Sequence, residues 1–63
     1  MTLIESLKIT HGGIKVIVRI RLYGMEASFS GYPSTIIENG QSELLNREVK
    51  QLAPQENTLV FYL

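Results

Sequence analysis

Lys15, Arg19 and Arg21 recur at odd positions of one stretch, with Ile17 between them and Tyr23 just beyond. Residues of like parity share a face of an extended chain, so these side chains form a row of cations ending in an aromatic ring. Such a row suits an anionic partner. Phosphates would sit on the cations and a base on the ring, as on single-strand nucleic-acid platforms, and a nucleotide would fit equally. A surface for a protein partner is a second use of the same residues. The plainest reading is a wet sheet face with Arg21 paired to Glu26, a contact worth about 0–1 kcal/mol when exposed.

The other chemistry-bearing residues are scattered. His11 precedes Gly12-Gly13 and has no Asp in the chain to orient it. A general base needs both that partner and a nucleophile within reach. Ser28, Ser30, Ser34, Thr35 and Ser42 supply hydroxyls, but none stands in a G-x-S-x-G elbow. Gly12-Gly13 lacks the Lys-Ser/Thr continuation of a phosphate loop. Glu38, Glu43 and Glu48 are five apart and mixed with Arg47 and Lys50, which reads as a solvated face. With no Cys, no Asp and a single His, a thiolate metal site is impossible and a His/carboxylate site is not expected. The residues predict a protein that is not an enzyme and needs no cofactor.

The chain has 63 residues, with six basic and six acidic side chains in balance. This length makes one domain, residues 1–63. A domain so short buries only about 60% of the surface its unfolded chain exposes, so it is marginal alone. Disulfides and metals being absent as supports, a homodimer or higher oligomer is expected. Zero net charge argues against a general nucleic-acid coat. No apolar run approaches the roughly 18 residues of a bilayer span, and the first residues lack a signal-peptide pattern. A soluble protein of the bacterial cytoplasm is the expectation.

The positions that hold the cations belong to Ile14–Tyr23. Its even residues Ile14, Val16, Val18, Ile20 and Leu22 are all apolar, the alternation of a half-buried strand. Leu3, Leu7 and Ile9 have strand spacing, with Glu5 as a misfit; Leu3, Ile4 and Leu7 have helical spacing. Gly12-Gly13 decides for a hairpin, because a two-residue loop pairs Ile9 with Val16, Leu7 with Val18 and Leu3 with Leu22. Lys8 would then be a cross-strand neighbour of the cations. A second turn at Tyr23-Gly24 sets Leu22 against Met25, Ile20 against Ala27 and Val18 against Phe29, with Arg21 beside Glu26 and Arg19 beside Ser28. The first half is therefore predicted to be a three-strand meander.

Pro33 ends the sheet pattern, and Ser34 is placed to cap a short helix stopped by Asn39-Gly40. Beyond Gln41 two readings compete. Leu45, Val49 and Leu52 could form a helix face capped by Ser42, or a helical turn at 42–46 could precede a strand from Glu48 to Ala53. Pro54–Asn57 reads as a four-residue turn. Thr58–Leu63 reads as a strand apolar on both faces, hence interior to a sheet or sealed by a partner. Tyr32, Phe61, Tyr62 and Leu63 are the candidates for self-association, as aromatic residues are enriched in interface cores.

Phe29-Ser30-Gly31, Leu44-Leu45-Asn46-Arg47-Glu48-Val49 and Asn57-Thr58-Leu59-Val60 together resemble segments of small uncharacterised proteins from bacterial phages and mobile elements. The resemblance covers the second half of the chain and favours the strand after Arg47. It implies an accessory protein that acts by stoichiometric protein–protein binding, such as an inhibitor of a host defence factor. Nucleotide or single-strand nucleic-acid binding on Lys15, Arg19, Arg21 and Tyr23 is the alternative. The fold expected is α+β and mainly antiparallel. A three-strand meander, a short helical segment and one or two closing strands would be rolled into a small barrel that hides its edges.

Overall fold

A computed structural model describes residues 1–63. Strand β1 runs Lys15–Leu22 and β2 runs Met25–Gly31. Along β1, Val16, Val18 and Ile20 are buried while Lys15, Arg19 and Arg21 are exposed. Leu22, at the strand end, escapes the core and is 43% exposed. The β1–β2 register is the one expected, from Leu22 opposite Met25 to Val18 opposite Phe29. Tyr23 (φ 53°) and Gly24 (φ 78°) form the turn. Two successive positive φ values give a type I′ turn, whose twist matches the flanking strands.

The N-terminal segment is a helix, not a strand. Helix α1 runs Leu3–Ile9, so no third meander strand exists and Lys8 is not a neighbour of the β1 cations. Thr2 caps it with a reciprocal box. The Thr2 N–H donates to Glu5 Oε1 at 2.9 Å, and the Glu5 N–H donates to Thr2 Oγ1 at 3.3 Å. Glu5, the misfit of the strand reading, thus satisfies a donor that the first helical turn would leave orphaned. Leu3, Ser6 and Leu7 are buried, a helical stripe, and Ile9 is 75% exposed rather than facing Val16. The buried Ser6 hydroxyl donates to the Thr2 carbonyl at 3.0 Å. His11–Ile14 is a turn closed by the Ile14 N–H on the His11 carbonyl at 3.1 Å, but it joins a helix to a strand.

Helix α2, Pro33–Asn39, starts with Pro33 in its first turn, where the missing N–H costs nothing. Ser34 lies inside the helix, and Tyr32 holds the cap position without a side-chain bond. Helix α3 is the single turn Ser42–Leu45, with Gln41 rather than Ser42 at its cap. A Cβ on Gly40, between the two helices, would lie 2.7 Å from the Ile36 carbonyl oxygen, so this close approach requires glycine. Strand β3 runs Gln51–Gln55 and β4 runs Thr58–Tyr62. The helical-turn-then-strand reading is therefore correct in kind. Only Glu56 and Asn57 (φ 54°) form the final turn, because Pro54 and Gln55 belong to β3.

The sheet is ordered β2-β1-β4-β3. β1 pairs antiparallel with β2 and parallel with β4, and β3 pairs antiparallel with β4. β4 is interior, as its two apolar faces require. The sheet does not close into a roll; β2 and β3 are its edges. All three helices pack on one face around Leu3, Leu7, Val16, Val18, Ile20, Ile36, Leu45, Phe61 and Leu63. The Leu3 N–H donates to the Arg47 carbonyl and the Val49 N–H to the Met1 carbonyl, both at 2.9 Å. These bonds tie the start of α1 to the segment that leads into β3. No helix is long and apolar enough to cross a membrane.

The cap makes a measurable claim. Thr2→Ala should cost about 1 kcal/mol in urea denaturation. The Glu5 carboxyl is held below its usual 4.5, first by the Thr2 backbone N–H and then by the Thr2 side chain. Because the folded-state value is depressed, this stabilisation is complete above pH 4.5 and fades as the pH falls through the lower folded value. The difference in Tm between the wild type and Glu5→Ala should therefore be present at pH 6 and shrink on acidification. A difference that grows in acid would rule the cap out as its source.

Candidate functional site

The helices cover one face of the sheet and leave the other bare. Odd residues of β1 and even residues of β2 and β4 point to the bare face, since directly paired residues share a side. Lys15 lies beside Thr58, and Arg19 lies between Ser28 of β2 and Tyr62 of β4. Arg21 is opposite Glu26, with a nitrogen–oxygen distance of 4.0 Å and both side chains exposed. Three cations thus share the face with one carboxylate. A less polar row crosses its middle: Ser30, Ile17, Val60 and Ala53 in adjacent strands. Val60 is only 1% exposed although no helix lies over it, so its neighbours on the sheet shield it.

Tyr23 stands on the hairpin tip just beyond Arg21 and Leu22 and is fully exposed. Its φ of 53° is unusual for a bulky residue and costs on the order of 1 kcal/mol relative to an ordinary conformation. The structure thus brings Lys15, Arg19 and Arg21 onto one side, as the alternation predicts, and leaves Tyr23 in the turn that follows β1. It adds Tyr62, which sequence reasoning assigned to self-association. The parallel pairing of β1 with β4 sets Tyr62 beside Arg19, and no local pattern announces a pairing between segments so far apart in the chain.

The remaining self-association candidates separate. Phe61 and Leu63 are 3% and 8% exposed and belong to the subunit's own core. Tyr32 is half-exposed just past the end of β2. His11 is exposed and its Nδ1 accepts the Gly13 N–H at 3.0 Å, a turn-stabilising role. No three His or Glu side chains come together in a way that could hold a metal ion.

The chemistry available on the bare face is recognition. Guanidinium and ammonium groups can take carboxylates or phosphates, and the rings offer stacking or apolar contact. The depression between Arg19, Glu26 and Ser28 is only about 100 Å³, against roughly 300–1,000 Å³ for an ordinary small-molecule site. A broad partner suits this face better than an enclosed ligand. No family model, curated protein sequence or solved structure matches the chain.

Proposed function

We propose that this chain is a non-enzymatic accessory protein of the phage or mobile-element type, which binds a protein partner stoichiometrically through the bare face of its sheet. The concrete form is an inhibitor of a host defence factor, acting in the bacterial cytoplasm. The observation that carries the reading is Tyr23: a fully exposed aromatic ring held at positive φ. Asn at this position would relax the turn, since Asn-Gly is the favoured type I′ pair. Backbone strain of this kind concentrates where a side chain is presented to a ligand, and tyrosine and arginine are the residues that dominate interface hot spots. Lys15, Arg19 and Arg21 share the bare face of the strand that leads to this turn, and they fit a partner surface rich in carboxylates.

Tyr23→Asn tests the reading because two effects should move in opposite directions. The substitution should stabilise the fold by about 1 kcal/mol, or roughly 4–8 °C in Tm. The same variant, and Arg19→Glu, used as baits in a host lysate, should lose a protein that the wild type retains at one-to-one stoichiometry. Failure of the wild type to retain any protein, or equal retention by all three baits, would defeat it.

A second reading is supported by Arg19 beside Tyr62, with Lys15 along the same strand. Cations flanking a ring suit a nucleotide or single-stranded nucleic acid. That reading expects binding of a labelled oligonucleotide that weakens steeply with salt and is lost in Arg19→Ala with Arg21→Ala. Unchanged binding in the double variant rejects it.

A further inference from the structure

The two edges of the sheet are not alike. The Leu63 N–H donates to the Arg19 carbonyl at 2.9 Å, so the backbone polar groups of Arg19, and of Ile17 and Lys15 by alternation, point toward β4. Those of Val16, Val18, Ile20 and Leu22 then point toward β2, where they meet Gly31, Phe29, Ala27 and Met25. The N–H and C=O groups of Glu26, Ser28 and Ser30 are left pointing outward. The same alternation applied to β3 directs Leu52 and Pro54 outward, and proline has no N–H to offer. The β3 edge is thereby blunted. The β2 edge has no proline, no lysine and one charge over seven residues, which leaves it an open template for another strand.

We propose that β2 pairs antiparallel with β2 of a second copy, about a two-fold axis at Ser28, making one continuous eight-stranded sheet. In this register Ser28 faces Ser28 of the second copy and Glu26 faces its Ser30, so all three outward N–H and all three outward C=O groups of each strand are satisfied. Any two-fold register shifted along the strand leaves some of them bare. Charge agrees with the pairing. Glu26, the only charged residue of β2, falls opposite a neutral serine and stays next to its own Arg21.

Side-chain shape agrees as well. Met25 projects from the helix-bearing side of the sheet, yet it is 74% exposed because no helix covers that end of β2. In the paired register it lands opposite Gly31 of the second copy, where no side chain blocks it. Beside Gly31 runs a groove of about 300 Å³ lined by Phe29, Thr35, Ile36 and Leu44. Each copy therefore offers an apolar knob and the groove that receives it, the self-complementarity a two-fold interface requires. Tyr32, directly after Gly31, borders the seam.

Sedimentation equilibrium and amide hydrogen exchange test this on the full chain. The wild type should sediment at twice the chain mass of 7.1 kDa. The amides of Glu26, Ser28 and Ser30 should become protected as concentration rises. Met25→Glu should give a folded species of single-chain mass by circular dichroism, with these three amides exchanging at exposed rates. Ser28→Pro should do the same, because the N–H it removes makes no bond within the subunit. Should Ser28→Pro fail to fold, Met25→Glu and the amide rates decide. A wild type that stays at single-chain mass at about 100 μM, a folded Met25→Glu that remains dimeric, or a dimer whose Ser28 amide exchanges freely would overturn the pairing.

Discussion

Leu7→Ala should cost about 2–5 kcal/mol, while Ile9→Ala should change stability by no more than about 0.5 kcal/mol. The two residues are neighbours in chain and alike in chemistry, and the difference follows from the helix alone. Leu7 is 1% exposed on the inner stripe of α1, whereas Ile9 is 75% exposed at its end. A chain of this length has roughly 3–9 kcal/mol of total stability, so Leu7→Ala should leave a large fraction unfolded at 25 °C. Urea denaturation followed by circular dichroism measures both. A strand at this position would direct both residues at the core, opposite Val18 and Val16, and both substitutions would then be severe. Equal costs for the pair would therefore overturn α1.

Phe61→Ala should cost about 3–5 kcal/mol, and Tyr62→Ala roughly 1 kcal/mol. Phe61 lies on interior strand β4 between Val18 and Leu52, facing the helices, and is 3% exposed. Its loss removes the largest ring of the core. Tyr62 points to the bare side beside Arg19 and is only half-buried. The expected result is a Phe61→Ala chain that is unfolded across a range of protein concentrations, since the ring packs within its own subunit. A folded Phe61→Ala that sediments at single-chain mass would mean that the ring serves an interface instead.

What the sequence reveals about this fold is what lies close together in it. The β1–β2 hairpin was legible residue by residue because a two-residue turn fixes the register of everything that follows it. The cation row was legible for the same reason. Leu3 and Leu7, spaced by four, satisfy both a strand face and a helix face, so their spacing decides nothing. The deciding feature is Thr2 with Glu5 three residues on, a capping box that the hairpin reading of Gly12-Gly13 leaves out of account. Neither of those glycines adopts a positive φ, so the property that made the pair look like a hairpin loop is unused. Pro54 reads as a turn because proline cannot donate to a ladder. It sits in a strand because its nitrogen faces outward, where there is nothing to donate to. The pairing of β1 with β4 has no local signature, and with it went the placement of Tyr62 on the candidate site.

That pairing also bears on how the molecule is made. Lys15 meets Thr58 and Arg19 meets Tyr62, so the ladder on this side of β1 cannot form until β4 has emerged from the ribosome. Until then the nascent chain carries a bare hairpin margin and an unroofed Val18, with contacts of long sequence separation still to close. The parallel half of the sheet therefore closes later than the hairpin, in a step that waits for β4.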